Sequence, residues 1–571
     1  MFDKMIFLDV GGYQIFYGNP VEAVVYFKKA DNQANAEQGQ CLVCGTVNPE
    51  LVFNIIESKI VDDFGNFTNK RKVSPEQWYQ LYLKNAQIEN VDEVKEQTLI
   101  NLNIPSWLKQ MKIFATRDFL SKLSNKQYLW INLLEAPILA FVLAFIIRYT
   151  EIPGADYLFR ENDNIPAFIF MSIIVMLFIG LTVSAEEIFR DQKILKRERF
   201  LNLSKSSYLV SKLLILFSLS AIQSLLFVVI GNSIVGIYGM YWDYWWMLFS
   251  VACFANLLGL NISASFNSAV TIYILIPLIV IPQMILGGAM FSFDKLNRAI
   301  GGGEQVPIIA EVMTSRWAFE GLMVDQFMNN PYEKPLFEVE KKESMASFKQ
   351  AYYIPKLQEL MNDCVEEMDS RNATDLKERE ENLKTIKNEL LLEQSHIKTR
   401  VDFAGVENIS SQNFNDRMID NTRRIMDELA AYYAEIFNVI NAKKMAMVQE
   451  LTADEKSAKL LVEAKDDYTN DYLNELVTKS VEKNKIIVKD NYLIQKKDPV
   501  FLDASSDSFL NFRSHFFAPN KNFVGNLHST FGFNVFIIWS FSVILYVVLY
   551  YDGLKRGIDF ISKKIVFKSK K

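Results

Sequence analysis

Histidine and cysteine are scarce in this chain, three and four among 571 residues. So few thiols cannot build a disulfide framework, and so few imidazoles and thiols cannot supply an all-protein metal cluster. No G-x-x-x-x-G-K-[ST] segment occurs, and nothing like LSGGQ. A phosphate-binding loop needs consecutive backbone N–H groups and a lysine around the nucleotide, so no cofactor is expected to be bound by this chain and ATP with Mg would have to be held elsewhere. No Ser–His, His-Glu-x-x-His or paired-Asp arrangement points to a hydrolytic centre. A large charge of one sign is missing too: 61 Lys and Arg against 67 Asp and Glu leave −6, which gives nucleic acid no electrostatic footing. Residues 1–30 lack the long apolar core after a basic start that marks a secretory signal.

What is present is hydrophobicity gathered into blocks. Residues 129–291 and 533–551 are rich in Leu, Ile, Phe, Val and Trp, while 340–500 are rich in Glu, Lys, Asp and Asn. A bilayer core about 30 Å thick needs roughly 20 apolar residues in a helix. Six segments read as such spans, at 129–148, 167–185, 208–237, 244–262, 269–291 and 533–551. Long uncharged runs seldom recur in water-soluble folds, which sets aside the reading as buried helices of a soluble protein. The expected fold class is mainly α: a six-helix transmembrane bundle with a large helical insert at 292–532 and a small α/β piece at 1–30. A linker with connecting helices fills 31–128, and a basic tail follows at 552–571.

Orientation comes from lysine and arginine in the short flanks. Basic residues crowd 109–128, 186–212 and the tail after 551, whereas 149–166 carries only Arg160 against Glu151, Asp156, Glu161 and Asp163. These counts predict both termini inside and 292–532 outside. Tyr241, Trp242, Tyr244, Trp245 and Trp246 mark the outer interface.

Residues 5–30 predict a strand (MIFLDV), a turn at Gly11 and Gly12, a second strand (YQIFYG) and a helix opened by Pro20. Cys41 and Cys44 form C-x-x-C, which reads as half of a zinc site, as a redox pair, or as a turn carrying two reduced thiols. Between 50 and 100, VFNIIESKIV and PEQWYQLYLKN read as amphipathic helical stretches.

Three stretches, in order, resemble ATP-driven transporters of the ABC G subfamily, the white-pigment and multidrug half-transporters. DKMIFLDVGGYQIFYGNPVEAVVYF is similar to the end of their ATPase domain. The connection between the second and third spans matches at Glu187–Ile188, Arg197–Glu198, Tyr208 and Ser211–Lys212. After the fifth span, GGAMFSFDKLN and TSRWAFEGLMVDQF match a re-entrant segment and an aromatic helix, at Trp317, Ala318, Phe319, Glu320, Gly321, Leu322 and Phe327. The resemblance implies an ABC-2-type membrane domain and an exporter permease. It also implies that Met1 is an internal methionine of a longer frame, in a bacterial ATPase–permease fusion, or that the ATPase is a separate chain. Implied partners are that ATPase, a second copy or similar half-transporter, and membrane lipid.

In the family the segment at 186–207 forms a coupling helix that docks on the ATPase. Glu186, Glu187, Arg190, Asp191, Arg197 and Glu198 are the residues expected at that interface; the alternative is a solvated charged face. The family's last external loop is short in eukaryotic members and holds a disulfide. Here it is long and Cys364 is its only cysteine, which favours a Gram-negative inner membrane with a periplasmic insert.

Within the insert, Leu376, Leu383 and Leu390 repeat by seven, as do Thr422, Leu429 and Ile436, and FAGVENISS reads as a turn between two long helices. This predicts an antiparallel helical hairpin, serving as a structural arm or as a platform for a periplasmic partner. Polar residues in the spans face bundle interiors. Asn132, Glu135, Asn256, Asn261 and Gln283 are the candidate substrate pathway, with helix–helix hydrogen bonding as the alternative, and Gln223 belongs to the same set. Gly180, Gly287 and Gly288 on the second and fifth spans suggest a close-packed seam with a second copy. Two other functions stand beside the exporter: a mechanotransmitting ABC system, and a membrane-anchored periplasmic interaction protein that moves no substrate.

Overall fold

The computed structural model describes residues 4–34, 36, 49–86, 105–150, 154, 156–198, 203–297, 305–366, 372–397, 400–504 and 512–569. Cys41 and Cys44 lie outside the described residues. The chain forms two compact units, Met1–Leu102 and Asn103–Lys571, and is mainly helical.

In the first unit, β1 (Met5–Asp9) and β2 (Tyr13–Gly18) form the expected antiparallel hairpin. Gly11 and Gly12 sit at φ +89° and +81°, where a Cβ would be strained. Helix α1 (Pro20–Ala30) starts with Pro20 in its first turn and is capped by Asn19, whose side chain accepts from the Val21 N–H. Ala23, Val24 and Phe27 of α1 close a small core with Ile15 and Phe16, with Val52, Ile55 and Ile56 of α2 (Pro49–Ile56), and with Trp78. One expectation is corrected. VFNIIESKIV is not one helix: α2 stops at Ile56, and β3 (Lys59–Val61) pairs with β4 (Phe67–Arg71). Asp62 Oδ1 accepts from the Phe64 and Asn66 N–H groups, and Gly65 turns the chain at φ +84°. Side chain–backbone bonding of this kind builds a turn in competition with a helix. Helix α3 (Pro75–Asn85) begins with a reciprocal Ser74–Gln77 capping box.

The second unit starts with α4 (Trp107–Ser124), followed by α5 (Lys126–Ile147), α6 (Ile165–Ser184), α7 (Glu187–Glu198), α8 (Lys205–Val235), α9 (Tyr241–Ser265) and α10 (Ala269–Ile285). Among the described residues five helices are long and apolar enough to cross a membrane: α5, α6, α8, α9 and α19 (Thr530–Tyr550). The fifth expected span is shorter than its apolar run. α10 has 17 residues, about 26 Å of helix, and ends at Ile285 because Gly287 and Gly288 follow, the latter at φ +84°.

α6 and α9 are the inner pair. Their backbones approach closely: a Cβ on Gly180 would come within 2.7 Å of Ala255 Cβ and 2.8 Å of the Ala252 carbonyl oxygen. A Cβ on Gly287 would meet Phe170, and one on Gly288 would meet Phe516 and Phe293. All three glycines thus serve packing within the chain. This corrects the expectation that they form a seam with a second copy; small residues permit close approach, and only tertiary structure says to which neighbour.

After α10 come α11 (Ile308–Glu311) and α12 (Thr314–Met328), the latter buried from Thr314 through Phe327 against α6, α9, α10 and α19. The insert continues with α13 (Phe337–Phe348), a π-helical turn, α14 (Ile354–Glu366), α15 (Ala373–His396), α16 (Asp416–Leu451), α17 (Glu455–Tyr468) and α18 (Asp471–Thr478). The expected two-helix hairpin is a three-membered core instead. Leu357, Leu360 and Met361 of α14, Leu383, Ile386 and Leu390 of α15, and Ile425, Met426 and Leu429 of α16 bury one another. The heptad residue Leu376 falls beyond this core and is exposed, as is Val439 in the far half of α16. The far half of α16 pairs with α13, where Lys444 binds Glu340 and Glu343. Two hairpins complete the insert. β5 (Ile486–Lys489) pairs with β6 (Tyr492–Gln495) around Asp490 and Asn491, both at positive φ, a two-residue turn geometry that suits the strands' twist. β7 (Asn520–Phe523) pairs with β8 (Asn526–Ser529) and leads into α19. α20 (Gly553–Ser569) ends the chain.

Candidate functional site

α7 joins two membrane-type helices, α6 and α8, and its charges are sorted by face. Glu187 and Asp191, four residues apart, turn inward. Arg190, Lys193, Ile194 and Arg197 are exposed, at the i, i+3, i+4, i+7 spacing of one helix face. Ser263, near the end of α9, accepts from the Ile188 and Phe189 N–H groups at 3.0 and 2.9 Å. It satisfies the donors that a helix N-terminus leaves free.

The inward face meets a buried lysine. Lys212 Nζ on α8 lies 2.7 Å from Asp118 Oδ1 on α4, 2.9 Å from Glu187 Oε2 and 3.0 Å from Asp191 Oδ2. Lys122 bridges Asp118 and Glu187 at 2.9 and 3.0 Å, and Tyr208 donates to Asp191 at 2.9 Å. Burial works against ionisation of Asp118, but Lys122 and Lys212 beside it hold its carboxyl below the ordinary carboxylate range. Arg117 reaches Glu198 at 2.7 Å near the surface. The expected coupling residues therefore divide: Glu187 is buried, Asp191 faces Lys212 and Tyr208, Glu198 pairs with Arg117 at the surface, Glu186 pairs with Arg190 along the helix, and Arg190 and Arg197 present their charges outward. Sequence reading missed Asp118 and the partnership of Lys212. The signal was there in the two acidic residues at i, i+4 beside an isolated lysine entering an apolar helix.

The polar residues proposed for a pathway bond to neighbouring groups within the bundle. Asn132 donates to the Tyr128 carbonyl, and its own carbonyl accepts from Gln223. Asn256 donates to Ser220, and Asn261 ties α9 to α19 through the Leu545 carbonyl. Gln283 Oε1 accepts from the Ser315 N–H, fixing the start of α12 against α10. Glu135 is half-buried on α5.

At the other end of these helices, the insert and the helix ends enclose a cavity of about 1480 Å³. Phe170, Met171, Met284, Phe319, Phe516 and Phe517 form an apolar wall; Lys349, Tyr353, Glu389 and Glu393 belong to the insert's side. Behind Arg513 and Ser514, which also line it, lies a buried charge cluster. Glu320 Oε1 accepts from Lys521 Nζ at 2.7 Å and from the Phe517 N–H at 3.1 Å. Arg316 Nη1 stands 3.4 Å from both Glu320 and Glu311, with its guanidinium 3.9 Å from the Trp317 ring centroid. Arg316 and Glu320 are fully buried, and Lys521 is 1% exposed. Burial pushes His515 down to about 4, so this imidazole is neutral at pH 7, with Nε2–H donating to the Pro499 carbonyl. Arg316 and Glu320 are charged residues four apart inside TSRWAFEGLM, a pattern that signals internal pairing; the lysine that completes the cluster lies 201 residues from Glu320.

The insert is clasped to the α5–α6 connection. Asn470 donates to the Phe159 and Asn162 carbonyls at 2.8 and 2.9 Å, and Arg160 binds Asp466 and Asp471.

No curated protein matches the chain. Residues 109–327 match the family model described as ABC-2 type transporter, a stretch that opens within α4, closes within α12 and includes α7, Lys212, Arg316 and Glu320. Together with the apolar helices, this makes the protein an integral membrane protein that carries an ABC-2 type transporter membrane domain at residues 109–327.

Proposed function

We propose that the chain is the permease of an ATP-driven exporter of the G-subfamily kind, worked by an ABC ATPase that binds the outward face of α7. The observation that carries this reading is the sorting of charge on α7. Its acidic residues are tied to α4 and α8, while Arg190, Lys193, Ile194 and Arg197 stand exposed. A partner that pushes on this face moves the ends of α6 and α8 together, because Lys212 and Ser263 hold α7 to α8 and α9. Lysine and arginine are concentrated at this end of the helices, which supports a cytosolic position for α7 and an insert on the opposite side, in a bacterial inner membrane. α10, the sixth apolar helix, would complete the bundle. Its face bearing Val270, Ile274, Leu278 and Ile281 is exposed, and either lipid or a second copy would cover it.

The test is charge reversal in the assembled transporter. Arg190→Glu with Arg197→Glu is expected to lower transport-coupled ATP hydrolysis about tenfold or more, as like charges are brought to a complementary interface, with membrane insertion and monodispersity unchanged. Undiminished coupling removes α7 from the ATPase interface. The clasp at Asn470 and Arg160 favours a second reading, in which α6 passes motion to the insert and no substrate crosses. That reading expects ATP hydrolysis to move α16 in a distance measurement while reconstituted vesicles accumulate nothing.

A further inference from the structure

The cavity under the insert joins two chemistries that seldom meet by accident. Its wall is built of aromatic rings and methionines, which are large, polarisable and adaptable. Among the described residues, the charge cluster behind that wall does not balance: Arg316, Arg513 and Lys521 face Glu311 and Glu320. Arg316 Nε, Arg513 Nε and both Glu311 carboxylate oxygens are buried without a hydrogen-bond partner, and Arg513 stands 3.8 Å from Glu311. Buried polar groups ordinarily find partners; here donors and acceptors are both left over, the cluster holds one cation more than it holds anions, and Arg513, whose Nη2 donates to the Val306 carbonyl at 2.7 Å, is the cation that lines the cavity.

The acids lining the cavity do not cancel this excess. Asp294 is held by both Lys479 and Lys496. Glu393 is held by Lys349 and Tyr433. Glu389 accepts from Tyr353 and from the Leu493 N–H. Asp503 is held by Lys341, and Asp163, Glu475 and Glu482 are exposed or partly exposed to solvent, where screening is strong. Met290 lines the cavity and is exposed, and Phe291, Ile308, Ile309 and Val312 are exposed apolar residues in the same part of the chain. These residues follow directly on α10 and precede α12, at the level where apolar helices end.

We propose that this cavity binds an amphiphile with one apolar chain and one anionic head. The chain lies on Phe170, Met171, Met284 and Phe516, the head meets Arg513, and entry is from the bilayer surface past Met290. As a statement about cargo this rests on the permease reading; as a statement about binding it does not.

The full-length protein in phosphatidylcholine nanodiscs is photolabelled, without nucleotide, by a diazirine-bearing dodecanoic acid, and the labelled peptides are mapped. Labels are expected on 166–171 and 512–517. Unlabelled laurate should compete, and dodecanol should compete roughly tenfold less well. Arg513→Gln should erase that difference. Leu392→Trp, on the insert's side of the cavity and away from the apolar helices, should lower labelling at both peptides about tenfold while leaving the protein monodisperse. Labels confined to the lipid-exposed faces of α5 and α10, or equal labelling in Leu392→Trp and the native chain, overturn the site. Equal competition by laurate and dodecanol overturns the anionic head. Loss of labelling alongside intact α7-dependent ATP hydrolysis would end this proposal and leave the permease reading standing; labelling without transport would do the reverse.

Discussion

Both ends of the apolar helices carry charge clusters, and they are built differently. At the α7 end, Lys212 is ringed by Asp118, Glu187 and Asp191, whose side chains keep 14%, 9% and 20% of their exposure. One lysine shared among three carboxylates, with water close by, can change partners. At the insert end, Glu320 is held by Lys521, the Phe517 N–H and Asn534, with Arg316 beside it, and neither Glu320 nor Lys521 exceeds 1% side-chain exposure. A pair so dry has no substitute partner. The first arrangement suits a joint that must move, and the second suits a joint that must not. Under the proposed function, α7 is where force enters and the α12–α19 junction is the fixed frame.

Breaking the fixed joint should have the largest effect. Glu320→Gln leaves Lys521 and Arg316 buried without a full counter-charge, and the expected loss is about 3–5 kcal/mol, read by thermal unfolding of the purified protein. A loss no greater than that of the α7-end variant below would erase the distinction between the two clusters. The pair Glu320→Met with Lys521→Met should recover part of the loss, since Lys521 no longer needs a counter-charge while Arg316 is left with Glu311 alone.

The movable joint should be damaged less. Asp118→Asn removes one of three carboxylates from Lys212 and one of two from Lys122, and the neighbours remain. The expected cost is about 1–2 kcal/mol, the worth of a hydrogen bond to a charged group with water at hand. Because the Asp118 carboxyl is held below its ordinary range, its stabilisation is complete above the unfolded carboxylate value and fades only as pH falls through the lower folded one. The difference between native and Asp118→Asn protein should therefore be constant at neutral pH and shrink only in acid. A difference that persists in acid would assign the effect to packing.

The smallest effect belongs to Arg117, whose ion pair with Glu198 is at the surface, with side chains 41% and 25% exposed. Arg117→Ala should cost no more than about 0.5 kcal/mol after solvent screening, and what remains should disappear in high salt. A larger, salt-independent loss would mean that the α4–α7 contact is as rigid as the insert end.

The sequence by itself determined the apolar helices, because their length and hydropathy follow from what lipid requires of a backbone. It determined the N-terminal hairpin and helix through Gly11, Gly12 and Pro20, whose conformational preferences are local. It also marked the segment at 186–207 as charged and set between two apolar helices. Tertiary structure alone decided the partners. Gly180 offers a close approach, but that it meets Ala252 and Ala255 depends on how α6 crosses α9. Glu187 looks like any surface glutamate until Lys212 and Lys122 arrive from two other helices. The asparagines of the spans read either as pathway lining or as helix–helix hydrogen bonding, and they bond carbonyls and side chains within the bundle, because a polar group in an apolar helix takes the nearest acceptor. The charge cluster at Glu320 needs Lys521, brought from 201 residues away by β7 and the start of α19. No periodicity encodes such a meeting; only packing, which brings distant residues into one desolvated space, decides it.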